Sequence, residues 1–276
     1  MKTFDLIQSA ISHNLKDPHS KALEPDCLSP LLAIMTQFLW GEGYLPAVGR
    51  GRGGVNRIER KRGAFLIKIY IARHGETTWN EEGRIQGRSD PGLSPKGYVQ
   101  SLALRHHLKD RPLSAIYTST RQRSVLTAEP LANHFGLPIQ SQPALDEIAF
   151  GILEGKLLRY FDEELKSEWE RFKDDRFIYR IPGAENYADV ANRIKPFMER
   201  LLRVHEGHEV LIVGHRVVNR LLIGMLMEYP LEKVLEIEQT NDMLYLIQRN
   251  TEAKIFHYMD GQVREGLVLI GQEVIL

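Results

Sequence analysis

The sequence holds one cysteine, Cys27, so no disulfide can close within the chain and no cysteine-based metal cluster can be built. A single thiol suits a reducing compartment, and a cytoplasmic protein is expected. Net charge is missing too: 36 lysines and arginines balance 36 aspartates and glutamates. Without a global field, neither nucleic acid nor a membrane surface is indicated as partner, and any preference for an anion must come from locally placed arginines. Long apolar runs are absent. The most apolar early stretch, Leu31–Trp40, is broken by Thr36 and Gln37 and falls short of the ~20 residues that span a bilayer. Asp5 and Gln8 interrupt the place where a secretory leader carries its apolar core, so no signal peptide is expected.

What is present divides into two regions. Residues 1–65 are poorly patterned: a short helix fits Leu31–Leu39, and Gly51, Gly53 and Gly54 among Arg50, Arg52, Arg57, Arg60, Lys61 and Arg62 read as a flexible basic linker. Such a stretch lacks aromatic residues for base stacking before Phe65, which favours a plain linker over an RNA contact. This region is expected to be a dispensable extension, a misassigned start being one origin for it. From residue 66 to 276 the chain reads as one domain of alternating strands and helices. Ile67–Ala72, Ala115–Tyr117 and Val210–Val213 are short apolar β-forming runs suited to buried parallel strands. Ser94-Pro95 is an N-cap with proline at the first helical position. Gln122–Phe135 is a helix closed by Gly136 and Pro138, and Tyr187, Val190, Ala191, Ile194, Met198 and Leu201 recur at helical spacing. Val217–Met227 is an apolar helix, and Met243–Ile247 and Lys254–His257 are closing strands. The alternation predicts an α/β fold, a three-layer α/β/α sandwich with a mostly parallel central sheet.

In such sheets ligands bind beyond the carboxyl ends of the strands. Two histidines fall there, each beside an arginine: Arg73-His74 after the first strand and His215-Arg216 after Val210–Val213. A third polar cluster, Thr118–Arg123, follows the second strand. Fixed cations together with N–H groups at helix starts are what a compact dianion requires.

Arg73-His74-Gly75 alone is a weak tripeptide, and a lone histidine is more often structural than catalytic. The longer string changes this. Arg73-His74-Gly75-Glu76-Thr77-Thr78-Trp79-Asn80 is followed by Gly83-Arg84-Ile85-Gln86-Gly87 and by Asp90-Pro91-Gly92-Leu93-Ser94. Later come Ser119-Thr120-Arg121-Gln122-Arg123 with Thr127-Ala128, then Leu145-Asp146-Glu147 with Phe150-Gly151 and Glu154-Gly155. Pro182-Gly183-Ala184-Glu185 and Val213-Gly214-His215 complete the set. Taken in this order from Lys68 to the C-terminus, the chain resembles the histidine phosphatase superfamily, also called the phosphoglycerate mutase-like family.

The resemblance implies His74 as a nucleophile that carries the phosphoryl group, with Arg73, Arg123 and His215 holding its oxygens. It implies Asn80 as a neutral donor, with Gln86 beside it, and Glu147 as the acid that protonates the leaving oxygen and then activates water. A carboxylic acid useful near neutral pH must be partly desolvated, which is expected of Glu147. Asp146 and Glu154 are competing carboxylates; Glu147 matches the family position. The resemblance implies no cofactor and no metal, a small phosphorylated substrate, and leaves the oligomeric state open. His205 and His208 are expected to be surface residues, since no carboxylate partner accompanies them. Adjacent His106 and His107 point to different helix faces. Trp169, Phe172, Phe177 and Tyr179 are expected to pack a lid-like helical segment.

Departures from the family are Ile152 and Leu153 where many members carry tryptophan, Ser124 for the usual alanine after the second arginine, and Arg216 for a small or amide residue after the second histidine. The segment Phe150–Val213 is shorter than in the mutases resembled, which favours a phosphatase acting on phosphate monoesters. Phosphoglycerate mutase-type transfer and fructose-2,6-bisphosphatase-like activity are the alternatives. Arg180 and Arg220 are the specificity candidates, because their surroundings look like the bisphosphatase domain; a surface ion pair is the competing role for Arg180. A binding-only pseudoenzyme is disfavoured, since nucleophile and acid are both retained.

Overall fold

A computed structural model of the chain describes residues 66–259 and 261–274. The expectations for residues 1–65 lie outside them. The first strand, β1 (Ile67–Arg73), is flanked by parallel β4 (Glu209–Gly214) and antiparallel β5 (Leu244–Arg249). Beyond β4 lie β2 (Leu113–Thr118) and β3 (Ile139–Ser141); beyond β5 lie β6 (Ala253–Met259) and β7 (Gln262–Glu265). The seven-stranded order is β3-β2-β4-β1-β5-β6-β7. Pairing is parallel from β3 through β1, as the strand–helix alternation requires, and antiparallel in the closing strands, which tight turns join without crossover helices. A small hairpin, β8 (Leu267–Leu269) with β9 (Gln272–Val274), pairs separately.

Both faces of the sheet are covered, and the alternation of side chains shows how. Ile67, Ile69 and Ile71 of β1, with Val210 and Ile212 of β4, pack into the core shared with α5 (Tyr187–Val204) and α6 (Arg216–Leu226). Tyr70, Ala72, Leu211 and Val213 point the other way, into the core beneath α2 (Pro95–Leu108) and α3 (Gln122–Phe135). A strand buried on both faces has no polar side to display, which is why β1 and β4 read as continuous apolar runs. The chain also forms a short helix α1 (Thr78–Glu82) and a further helix α4 (Glu163–Asp174), whose Phe172 joins the core of α5 and α6. Helix α4 carries Trp169 and Phe172 against Phe150, Phe161 and Tyr187, while Phe177 and Tyr179, also expected in this segment, follow the helix and pack against Tyr187 and Glu168.

Capping fixes where the helices begin. The Ser94 hydroxyl accepts the Gly97 N–H, and Asn186 with Asp189 forms a capping box on α5. Gly97 also lets the loop after β1 approach: a β-carbon on it would lie 2.0 Å from the Glu76 carbonyl oxygen, and one on Gly75 2.5 Å from the Gly97 oxygen. Backbone therefore packs on backbone immediately after His74. Among the described residues no helix is long and apolar enough to cross a membrane.

Candidate active site

Strands β1 and β4 end side by side, with Arg73 opposite Gly214 and the His74 N–H donating to the Gly214 carbonyl at 3.0 Å. This register delivers His74 and His215 to one place. The His74 ring is buried, and its Nδ1 lies 2.7 Å from the Gly75 carbonyl oxygen. A carbonyl only accepts, so Nδ1 carries the proton and, in the neutral ring, Nε2 keeps its lone pair. Burial, then Arg123 and Arg73, hold this imidazole well below the ordinary histidine range, which keeps that lone pair free. The loop is fixed from outside: Gly75 N–H donates to the Thr127 hydroxyl at 2.8 Å, which donates to the Arg123 carbonyl at 2.6 Å, and Asn241 Nδ2 donates to the His74 carbonyl at 2.7 Å.

Arg123 rises from the first turn of α3 and is fully buried. Its guanidinium donates to the carbonyls of Ser89 and, at 2.9 Å, Gly87, with Asp90 at 3.5 Å. Arg73 donates to the Gln239 carbonyl at 3.2 Å, and burial with neighbouring Arg216 pushes its guanidinium down to about 10. The Nε atoms of both arginines are buried without a partner among the described residues. His215 lies at the N-terminus of α6 with no exposed surface, its ring centroid 5.1 Å from that of His74. Its Nε2 contacts Ser119 Oγ at 2.7 Å and Ser124 Oγ at 3.3 Å, while Nδ1 has no partner among the described residues. The nucleophilic face of His74 thus meets, at the strand ends, the His215 ring and two guanidiniums with unspent donors, which an anion would satisfy.

The three neighbouring carboxylates separate by what they touch. Asp146 is saturated: it accepts from Thr120 N–H at 2.7 Å, from the Thr120 hydroxyl at 2.8 Å and from Arg121 at 3.2 Å. Glu154 accepts the N–H groups of Arg88 at 2.9 Å, Ser89 at 3.0 Å and Phe150 at 3.0 Å, shaping the loop whose carbonyls hold Arg123. Glu147 pairs directly with no cation among the described residues. It accepts the Ile148 N–H at 3.0 Å and feels the Val217 N–H at the start of α6. Burial raises its carboxyl above the ordinary range, more than those N–H groups, Arg123 and Arg73 lower it. The expected desolvation of Glu147 is present.

A sequence model of the histidine phosphatase superfamily (branch 1) matches residues 69–260, the stretch that carries every one of these groups. The chain belongs to that superfamily. Among relatives of this chain, phosphoserine phosphatase 1 of Hydrogenobacter thermophilus is 32% identical over 168 residues, 61% of this chain and 80% of the relative. A protein of Erwinia tasmaniensis named probable phosphoglycerate mutase is 30% identical over 165 residues, 60% of this chain and 77% of the relative. The solved structure of Bacillus stearothermophilus YhfR, 30% identical, superposes with a TM-score of 0.60 over 73% of this chain and 96% of that one.

The remaining expected site residues divide. Asn80 is half-buried in α1, its Oδ1 used by a capping box with Thr77, so Nδ2 is what it can offer an anion. Gln86 opens the loop around Arg123, with Oε1 buried and unpartnered among the described residues. Arg220 is buried on α6, donating from Nε to the Ile237 carbonyl at 2.6 Å, with Nη2 unpartnered among the described residues and Arg216 among the cations felt at its guanidinium. Arg180 is engaged elsewhere. Its fork lies on Asp189 at 2.6 and 2.7 Å with the side chain 55% exposed, the surface ion pair that competed with a role in specificity. His205 also departs from expectation: it is half-buried with Nε2 2.8 Å from the Tyr117 hydroxyl, while His208 is exposed. Among the described residues no cluster of three His, Cys, Asp or Glu side chains is placed to hold a metal ion.

Sequence reasoning missed Thr127, Gln239 and Asn241 as supports of the site. Thr127 stood in the family string without an assigned task. Gln239 and Asn241 lie in a loop with no periodicity to flag them, and only the approach of that loop to β1 gives them a role.

Proposed function

We propose that this histidine phosphatase hydrolyses phosphate monoesters of small metabolites through a phosphohistidine, without a metal. The observation that carries this reading is the 2.7 Å contact of His74 Nδ1 with the Gly75 carbonyl, because it leaves the Nε2 lone pair free in a site walled by cations. In the first step Nε2 attacks phosphorus and the bond to the ester oxygen breaks. That oxygen takes the proton of the Glu147 carboxyl, whose raised affinity for a proton suits the task. The phosphoryl oxygens are held by Arg73, Arg123 and His215, with Asn80 and Gln86 as neutral partners, as charge shifts in the transition state. In the second step the Glu147 carboxylate takes a proton from water, the oxygen of that water attacks phosphorus, the N–P bond breaks, and phosphate leaves with His74 restored.

The short Phe150–Val213 segment supports transfer to water over return to a second substrate hydroxyl. Arg220, with a buried donor to spare, supports a substrate that carries a second anionic group, and a sugar bisphosphate is one such class. No nucleic acid or membrane partner enters the reading, and a cytoplasmic location accompanies it.

The test is a panel of phosphate monoesters, assayed with chelator, for the native chain and His74→Ala. Phosphate release that vanishes in His74→Ala supports the reading, and activity that survives the substitution overturns it. Loss of activity by chelation alone would replace the mechanism with a metal-dependent one. 3-Phosphoglycerate with its bisphosphorylated primer belongs in the panel, since isomer formation without phosphate release would make the chain a mutase.

A further inference from the structure

The Ser124 hydroxyl sits where the family's usual residue has only a methyl group, and it points at the second histidine of the site. We propose that Ser124 is a positioning residue that, with Ser119, holds His215 as the Nδ1–H tautomer and ties that ring to the helical turn bearing Arg123. The inference deepens the proposed function and rests on it.

A neutral imidazole carries one N–H, so the partners of one nitrogen decide what the other can do. Ser119 Oγ accepts the Arg121 N–H at 3.1 Å, which leaves its own O–H to donate. Its other neighbour is His215 Nε2 at 2.7 Å. Nε2 therefore accepts and the proton lies on Nδ1. That nitrogen is buried, has no partner among the described residues, and belongs to a ring 5.1 Å from the His74 ring. Facing a phosphoryl dianion, Nδ1–H is a donor, whereas a bare Nδ1 lone pair would repel it.

Ser124 reinforces this from a second direction. It has no exposed surface, directly follows Arg123 in the first turn of α3, and places its Oγ 3.3 Å from the same Nε2. Its hydroxyl can donate to Nε2 only by sharing the single lone pair already taken by Ser119, so it steadies that acceptor position without adding a second full hydrogen bond. It also links the two phosphoryl-holding groups, so that His215 cannot turn without disturbing the helix start that aims Arg123. Alanine at this position leaves Nε2 on Ser119 alone, while threonine keeps the hydroxyl.

The experiment uses the full chain with 15N-labelled histidine, saturated with inorganic phosphate, and long-range proton–nitrogen spectra in which His215 is assigned by the signals lost in His215→Gln. The wild type is expected to show Nδ1 protonated and Nε2 as acceptor. Ser124→Ala is expected to move the His215 nitrogen shifts toward a mixture of tautomers. On p-nitrophenyl phosphate it should lower kcat by about three- to tenfold, the worth of one neutral hydrogen bond, with a smaller change in KM. Ser124→Thr should restore both. A wild-type ring protonated at Nε2 would overturn the proposal, as would Ser124→Ala with unchanged His215 shifts and kcat within about twofold of wild type. If Ser124→Ala does not fold, the wild-type spectrum and Ser124→Thr decide. If the wild type turns over no monoester, the proposed function falls, and the tautomer in the phosphate complex still tests the role of Ser124 separately.

Discussion

The rings of His74 and His215 lie 5.1 Å apart, tilted 56° to each other, although the residues are separated by most of the domain. Parallel pairing of β1 with β4 brings them together, and both are buried. Each is therefore held neutral by burial and by nearby Arg123 and Arg73, and that common state underlies the expectations that follow.

The first concerns pH and activity. On the proposed mechanism, turnover needs His74 neutral and Glu147 protonated. The alkaline limb belongs to Glu147, so activity on alkyl monoesters falls as pH rises through a value that burial has raised above the ordinary carboxylate range. The acid limb belongs to His74 and lies below the ordinary histidine value of ~6.5. Glu147→Gln should lower kcat on an alkyl monoester by about 10²–10⁴-fold and remove the alkaline limb. With p-nitrophenyl phosphate, whose leaving group needs no proton, the same variant should still release a burst of nitrophenol. A full pH profile retained in Glu147→Gln would assign the acid elsewhere.

Stability should follow pH with a definite sign. His74 and His215 have folded pKa values below their unfolded ones, so the unfolded chain binds more protons in mild acid. Their contribution is complete above ~6.5 and is lost as pH falls below it, at up to ~1.4 kcal/mol per pH unit for each ring. Melting temperatures between pH 7.5 and 5.5 check this, and His74→Asn should flatten the decline. An unchanged slope in that variant would place the acid sensitivity in other groups.

Gly97 should tolerate no side chain. The β-carbon of Gly97→Ala would lie 2.0 Å from the Glu76 carbonyl oxygen, and backbone cannot yield as a flexible side chain does. A loss of about 1–3 kcal/mol is expected by chemical denaturation, the range for overpacking. Activity should fall more than stability alone explains, because the strand–helix loop that moves is the one aiming His74.

Arg180 and Arg220 should part company in kinetics. Arg180→Ala removes an exposed pair with Asp189, worth about 0–1 kcal/mol, and should leave KM for any substrate within about threefold. Arg220→Met should raise KM most for substrates with a second anionic group, if that group sits on the spare Nη2 donor. A panel of mono- and bisphosphorylated sugars compares the two variants, and an equal response from both would contradict the assignment.

Much of this protein is legible along the chain. The double-sided apolar runs of β1 and β4, the Ser94-Pro95 helix start and the Gly136 helix end are local features, set by burial period and backbone preference within a few residues. The family string likewise names His74, Arg73, Arg123, Glu147 and His215 without any coordinates, because chemistry restricts residue types at those positions. Arg180 shows the limit: its sequence neighbourhood looked like a ligand grip, and its fork went to Asp189 one helix cap away.

Tertiary structure alone decided the rest. That Glu147 keeps a carboxyl unpaired with any cation among the described residues, while Asp146 and Glu154 are saturated with N–H groups, hydroxyls and cations, depended on the folded neighbours of each. The tautomer of His74 rests on a single contact to a carbonyl, and the one proposed for His215 on a contact to a serine hydroxyl. Gln239 and Asn241 entered the site because their loop folds back against the end of β1. The physical reason is common to all of these. Sequence fixes the donors and acceptors a chain owns, but their remaining capacity for a substrate is set by the hydrogen bonds and burial that the folded neighbours impose.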